Sequence, residues 1–368
     1  MCKLSGMKRK NLFGTIVFCG LLAFSFTGCS DDEDTAPSPD PAPLSGIYVL
    51  NSGNLGGNNA SLSLYEPAIE QVHADIFKSV NKRGLGDTAN DMIVYGSKMY
   101  IAVYNSNVIE VTDLQAKSIK QIQSEDEPLL PRFFTAHEGK VYVSLFDGYV
   151  ACLDTASLTI EKKIKVGRNP EQLVVANGKL YVANSGGLGY DSPIGYDKTV
   201  SVIDLNTWTE KSKIKVVINP VNLVKDEQEE VYLVSMGDYG AVLNTFQRID
   251  TKMDTVSVIE LTNATEMASV GNKLYMLYSQ YDANWNQTVS YIAYDALKEE
   301  VLSNRFITDQ TEIKKPYKIS ADKLTNHIYI TESGSTNNGD VYAFDAAGKL
   351  LYRFEAGVYP VKVVSSAN

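Results

Sequence analysis

Flat aromatic rings and side-chain amides are the residues of this chain best suited to do chemistry, and that chemistry is binding. Tyr104, Phe146, Tyr190, Tyr196, Tyr239, Tyr281 and Trp285 fall, with Asn54 and Asn184, in short segments rich in Gly and Asn. Arg132, Arg168, Asn219, Tyr317 and Tyr359 stand within two residues of a proline that opens an apolar run. Rings offer stacking and amides offer donors and acceptors, a combination that suits a large, partly apolar ligand with polar edges. Gly and Asn are also ordinary turn residues and a tyrosine can simply cover a core, so the weight rests on their joint placement in long loops.

Signals for catalysis or metal binding are weak by comparison. His73, His137 and His327 are far apart in sequence and show no metal-ligand spacing. The stretch from Asp282 to Gln287 opens like a calcium loop, but Gln287 takes the place of the sixth-position glycine and Ala293 that of the twelfth-position glutamate. Gly186 to Gly195 has no helix after it and lacks the context of a phosphate cradle. For acid–base work by a lactonase or lyase the acidic candidates are Asp191, Asp197, Asp238 and Asp282. The expectation is a binding protein, not an enzyme, with no cofactor and no metal.

The elements that position these residues come from a repeat. Tyr48, Tyr100, Tyr142, Tyr181, Tyr232, Tyr275 and Tyr329 each open a short β-rich run, at spacings of 39 to 54 residues. Such a period belongs to propeller blades. The clearest copy reads NPEQLVV, a Gly-Lys turn, KLYVAN, a variable loop, KTVSVIDL and a last strand near KIKV, which makes a four-stranded antiparallel meander, A to D from the inside outward. The first copy begins at strand B (GIYVL, Gly46 to Leu50) and the chain finishes on YPVKVV (Tyr359 to Val364), a strand A without a B. The fold predicted is all-β, a seven-bladed β-propeller closed by pairing of the N- and C-terminal strands, with almost no helix.

Repetition separates scaffold from function. Each strand C ends in a carboxylate, namely Glu66, Asp113, Asp154, Asp204, Asp250, Asp295 and Asp345. Seven copies point to a local role, accepting backbone N–H bonds in the C–D turn. The strand B tyrosines are packing residues by the same logic. Function then falls to what breaks the pattern: the variable B–C loops, which share one face with the D–A connections in a meander propeller. These loops span Asn51 to Asn59, Tyr104 to Asn107, Leu145 to Gly148, Asn184 to Lys198, Ser235 to Thr245, Tyr278 to Thr288 and Glu332 to Asp340.

The N-terminus carries an address. Lys8, Arg9 and Lys10 precede an apolar run from Ile16 to Phe26, which ends at Thr27-Gly28-Cys29 in the form of a secretory signal peptide. The residues before Cys29 resemble a bacterial lipobox, with Phe26 in place of the usual Leu, and this implies lipidation of Cys29. Residues 1–28 are then a signal peptide, 29–45 an acidic and Pro-rich tether, and 46–368 the propeller. Ser30-Asp31-Asp32-Glu33-Asp34 resembles the export signal of surface lipoproteins of Bacteroides-type bacteria, which implies an outer-membrane protein held by its lipid and facing the exterior. Loss of residues 1–28 moves the formal charge from −10 to −14, a poor basis for binding nucleic acid. Cys152 is then left without a disulfide partner and reads as a small core residue.

The phrases GIYVLNSGNLGGNNASLSLYEP, LGDTANDMIVYGSKMYIAVYNSNVIEVTDL, NPEQLVVANGKLYVANSGG and KTVSVIDLNT resemble the YncE-like surface propellers of Bacteroidetes lipoproteins, over essentially all of residues 46–364. The BtuG-type members are the nearest functional analogue. This resemblance implies capture of cobalamin or a related corrinoid and its delivery to a TonB-dependent outer-membrane transporter. A glycan-binding propeller is the first alternative, since glycan sites use the same rings, and a propeller lactonase or lyase is the second.

Overall fold

A computed structural model describes residues 46–366, apart from positions 125, 262, 263, 283, 285 and 335. The signal peptide, the tether, Cys29 and Trp285 lie outside the described residues. Seven four-stranded antiparallel sheets follow one another, and the chain is a seven-bladed β-propeller as its repeat predicts. In blade 4 the strands are Pro170–Ala176, Lys179–Asn184, Thr199–Asp204 and Thr209–Lys215. Blade 1 pairs the C-terminal strand A, Pro360–Ser365, with strand B, Ile47–Asn51, so the ring closes through strands from the two ends. Ser366 and Gly46 exchange backbone and side-chain hydrogen bonds at that seam.

The seven strand B tyrosines are 0–6% exposed, and three of them pin one blade to the next. Tyr48 donates its hydroxyl to the Leu114 carbonyl at 2.6 Å, Tyr181 to Asp254 Oδ1 at 2.6 Å, and Tyr232 to the Ala296 carbonyl at 3.2 Å. In each case the acceptor lies in the C–D turn of the following blade. A buried phenol thus packs its ring and satisfies its polar tip at once.

The strand C carboxylates do set those turns. Asp154 Oδ1 accepts the Ala156 and Ser157 amides, Asp204 that of Thr207, Asp250 those of Lys252 and Met253, and Asp345 those of Ala347 and Lys349. Glu66 departs, because its longer side chain reaches across the turn to His73 Nε2 at 2.7 Å. Cys152 is buried in strand C of blade 3, and burial pushes its thiol pKa up.

Two small helical pieces were not predicted. Ile76–Asn81 forms a short helix between blades 1 and 2, capped by Asp75, whose carboxylate accepts the Lys78 amide at 3.0 Å, and ended by Lys82 at φ +58°. Gly187–Gly189 makes one 3-10 turn in the blade 4 loop. The predicted loop from Tyr278 to Thr288 is mostly strand: Lys273–Tyr281 and Gln287–Asp295, nine residues each, pair as a hairpin. Gly and Asn are sparse from Tyr278 to Tyr281, and alternation continues there.

Candidate functional site

The B–C loops and D–A connections share a face because each blade ties them together. The residue before strand A offers its carbonyl to the first amide after strand B: Tyr359 to Ser52, Thr88 to Tyr104, Leu130 to Phe146, Asn169 to Ser185, Asn219 to Met236 and Lys315 to Ser333. In blade 6 the Thr265 hydroxyl accepts the Ser279 amide instead. Five of these residues, Thr88, Leu130, Asn169, Asn219 and Tyr359, hold φ between +46° and +60°. Four of the five precede proline, which has no amide to donate and is tolerated at a strand's first residue.

Just inside that point the A–B register slips. The shift falls between Ala89 and Asp91, Pro131 and Phe134, Pro170 and Leu173, Pro220 and Asn222, and Pro316 and Ile319. A bulge breaks the two-residue alternation and lets consecutive side chains turn to the same side. Consecutive pairs at four of these bulges therefore line one chamber of about 460 Å³ at the axis: Arg132 with Phe133, Glu171 with Gln172, Val221 with Asn222, and Tyr317 with Lys318; Thr265 and Glu266 of blade 6, where the register is unbroken, also stand in its wall. Met236 and Tyr239 of the blade 5 loop and Ser279, Tyr281 and Gln287 of the blade 6 hairpin also line it.

Side-chain bonds cross all seven blade junctions around the channel. Lys362 meets Asp91 at 3.4 Å, Asp91 Oδ2 accepts the Phe134 amide at 2.9 Å, and Arg132 Nη2 reaches Glu171 Oε2 at 2.7 Å. Gln172 Oε1 accepts the Leu223 amide at 3.0 Å, Asn222 Nδ2 donates to Glu266 Oε2 at 3.2 Å, Lys318 Nζ donates to Glu266 Oε1, and Ser320 Oγ accepts the Val363 amide at 3.2 Å. The inner edge of strand A has no further strand to pair with, so side chains from neighbouring blades supply partners for amides there. Burial pulls the Lys318 pKa down, but the adjacent Glu266 carboxylate outweighs it and the net shift is upward. The ammonium therefore stays charged in the wall of the chamber.

Arg132 is also caged by rings, with its guanidinium 4.6 Å from the Phe146 centroid and 5.5 Å from those of Tyr104 and Phe133. Tyr104 and Phe146 meet edge to face at 5.8 Å. Elsewhere around the ring the Tyr196 and Tyr239 rings are 6.3 Å apart and the Tyr317 and Tyr359 rings 5.8 Å. The outermost rim, on blades 4 to 6, exposes Tyr190 at 72%, Tyr239 at 61% and Tyr281 at 47%, together with Leu188, Ile194 and Leu243.

Of the residues singled out by sequence, Arg132, Tyr239, Tyr281 and Tyr317 line the chamber. Tyr104, Phe146, Tyr196 and Tyr359 back it through the ring contacts above, and Tyr190 stands on the outer rim. Four of the named residues are absent from the chamber lining and have partners elsewhere. Asn184 is fully buried, donating to Thr199 Oγ1 and Ser201 Oγ and accepting the Gly167 amide. Asn219 is buried and donates to the Gly237 carbonyl. Arg168 spends its guanidinium on the Gly195 carbonyl at 2.9 Å, holding the blade 4 loop. Asn54 sits in its own loop, where its backbone N–H donates to Asn59 Oδ1, away from the chamber.

Sequence reasoning missed Glu171, Gln172, Asn222, Glu266 and Lys318. The signal for Gln172, Asn222 and Lys318 was the third strand A position, where Asp91, Gln172, Asn222, Lys318 and Lys362 stand as polar residues; Glu171 is the second residue of its strand and Glu266 the first. Among the described residues no group of three or more His, Cys, Asp or Glu is placed to hold a metal ion.

Residues 45–360 match the model of a protein family described as "Domain of unknown function (DUF5074)". No curated protein matches the chain. Among solved structures the chain is similar to the hydrazine synthase of Kuenenia stuttgartiensis, at 14% identity and a TM-score of 0.59, over 72% of this chain and 85% of that one. At that identity the likeness carries the fold alone.

Proposed function

The chain belongs to the DUF5074 family, and from that premise we propose that it is a ligand-capturing propeller of the YncE-like and BtuG-like kind. In this reading it is a lipoprotein anchored through Cys29 on the outer face of the outer membrane, taking up cobalamin or another corrinoid and handing it to a TonB-dependent transporter. It acts as a binder, not as a catalyst.

One observation carries the reading: a chamber of about 460 Å³ on the axis opens beneath exposed rings on blades 5 and 6. A corrinoid is a broad macrocycle edged with amides and bearing a nucleotide tail. Tyr239 and Tyr281 offer faces for the flat part, while Gln172, Asn222, Gln287 and Lys318 offer polar partners below. The acidic leader and the lipobox-like Cys29 support the compartment.

The test is calorimetric titration of the chain from Ala36 onward with cyanocobalamin. One-to-one binding is expected, weakened about five- to 150-fold in Tyr239→Ala/Tyr281→Ala, because each lost ring contact is worth about 0.5–1.5 kcal/mol and about 1.4 kcal/mol is tenfold. Both rings are largely solvent-exposed, so their removal leaves the core intact. Absence of heat at micromolar protein would remove the corrinoid reading and direct the same titration to oligosaccharides.

A further inference from the structure

In three blades the strand B tyrosine donates to the same acceptor, the carbonyl that follows the strand C carboxylate of the next blade: Tyr48 to Leu114, Tyr181 to Thr251 and Tyr232 to Ala296. For Tyr275 of blade 6 the equivalent acceptor is Ala346, yet its hydroxyl has no hydrogen-bond partner among the described residues. Thr308 holds the blade 7 turn instead, its hydroxyl and amide donating to the carbonyls of Ala347 and Gly348. A cavity of about 570 Å³ has both Tyr275 and Ala346 in its wall. The Tyr100 hydroxyl is also unpaired but is sealed from solvent, whereas Tyr275 is 4% exposed, lines the cavity and is not sealed. Where the repeat sets a bond across a junction, blades 6 and 7 keep a buried phenol facing open space.

The cavity is built from the A–B and C–D turns of blades 5 to 7, on the face opposite the chamber mouth. Its charged residues cancel, with Lys225, Lys273 and Lys323 set against Asp226, Glu227 and Asp295. The carboxylates are each partly engaged: Asp295 Oδ1 accepts the Leu297 and Lys298 amides, Asp226 Oδ1 that of Glu230, and Glu227 Oε2 the Asn272 side chain. Lys273 and Lys323 are exposed and make no ion pair among the described residues. We infer that this cavity is a second binding site, for an uncharged polyhydroxylated ring of mono- to disaccharide size, with the Tyr275 hydroxyl as its buried anchor. Ammonium groups only donate and carboxylates only accept, and a wall that mixes them is matched by hydroxyls, which do both. A net charge on the ligand would meet no surplus of the opposite sign. Leu297, 62% exposed, and Ala346 offer small apolar surfaces to the C–H face of such a ring, and the volume is that of a small-molecule site. The inference does not rest on what the chamber binds.

The experiment titrates the chain from Ala36 onward, which contains the whole closed ring, with maltose, cellobiose and lactose by saturation-transfer NMR, beside glucuronate and glucosamine as charged counterparts. At least one neutral disaccharide is expected to saturate. Its Kd should rise about fivefold in Tyr275→Phe, the equivalent of one hydrogen bond, and stay unchanged in Tyr239→Ala/Tyr281→Ala at the opposite face. Tyr275→Phe removes a hydroxyl that bonds nothing in the protein, so its urea unfolding should match that of the native chain and weaker binding there is not misfolding. Lys273→Gln/Lys323→Gln, two exposed positions, should weaken the same sugar. No saturation by any neutral sugar, native affinity in Tyr275→Phe, or a charged sugar that binds tighter than every neutral one overturns the inference. Affinity lost in Tyr239→Ala/Tyr281→Ala but kept in Tyr275→Phe would put the sugar in the chamber, overturning this site and favouring a glycan over a corrinoid there. Cyanocobalamin binding does not depend on Tyr275, so failure of the corrinoid reading leaves this inference standing.

Discussion

At the scale of the residue, polar tips decide which members of the repeat hold blades together. Tyr232 donates to the Ala296 carbonyl of the next blade, whereas the Tyr100 hydroxyl is buried with no partner. A satisfied buried hydrogen bond is worth about 1 kcal/mol, and an unsatisfied buried hydroxyl costs about 1–3 kcal/mol. Tyr232→Phe should therefore destabilise by about 1 kcal/mol, while Tyr100→Phe should be neutral or stabilising, as read by urea unfolding. Equal effects at both sites would show that ring packing alone matters. The same scale explains what was legible at the site. Rings in variable loops stand out as departures from the repeat, so Tyr239 and Tyr281 could be named from sequence, and both are exposed. Asn184 and Asn219 look like the same class of residue, but burial turns them into braces, and sequence shows composition without showing burial.

Between residues and the whole ring stand the turn and the strand. The C–D turn is built on its carboxylate: hydrogen bonds from Lys140 and the Ser157 amide hold the Asp154 pKa well below the ordinary aspartate value, and the Thr207 amide does so for Asp204. Because these folded-state values are depressed, their stabilisation is fully present above the unfolded value of about 4 and is lost as pH falls below it. The melting temperature should drop between pH 5 and pH 3, and Asp154→Asn/Asp204→Asn should be less stable at pH 6 with a flatter acid limb. An unchanged acid limb in that variant would assign acid sensitivity to other groups. Strand A shows why the chamber itself stayed hidden. A polar residue in the third position is visible in blades 1, 2, 4, 5 and 7, yet only the bulge tells that positions two and three both face the axis. Register is a property of pairing, and the one-dimensional pattern of alternation reports it only where it is unbroken.

For the whole molecule the repeat and its permuted ends were enough to specify architecture, since a strand B without an A and a strand A without a B have one economical solution. The structure adds why closure must be strong. Pro360–Ser365 supplies the inner strand of blade 1, its Lys362 the link to Asp91 of blade 2, and its Val363 amide the link to Ser320 of blade 7. Removing that one strand opens two of seven junctions and bares the edge of Ile47–Asn51, a strand that is buried along its full length. Truncation after Val358 should therefore abolish the single cooperative transition and yield aggregates in size-exclusion chromatography, far beyond what the loss of ten residues would cost at an exposed end. Because the missing element is an edge strand, a peptide of residues 359–366 added in trans should restore monomeric protein through the same backbone ladder. A truncated chain that stays monomeric and melts as the intact one does would mean that the remaining blades hold their arc without a closed ring.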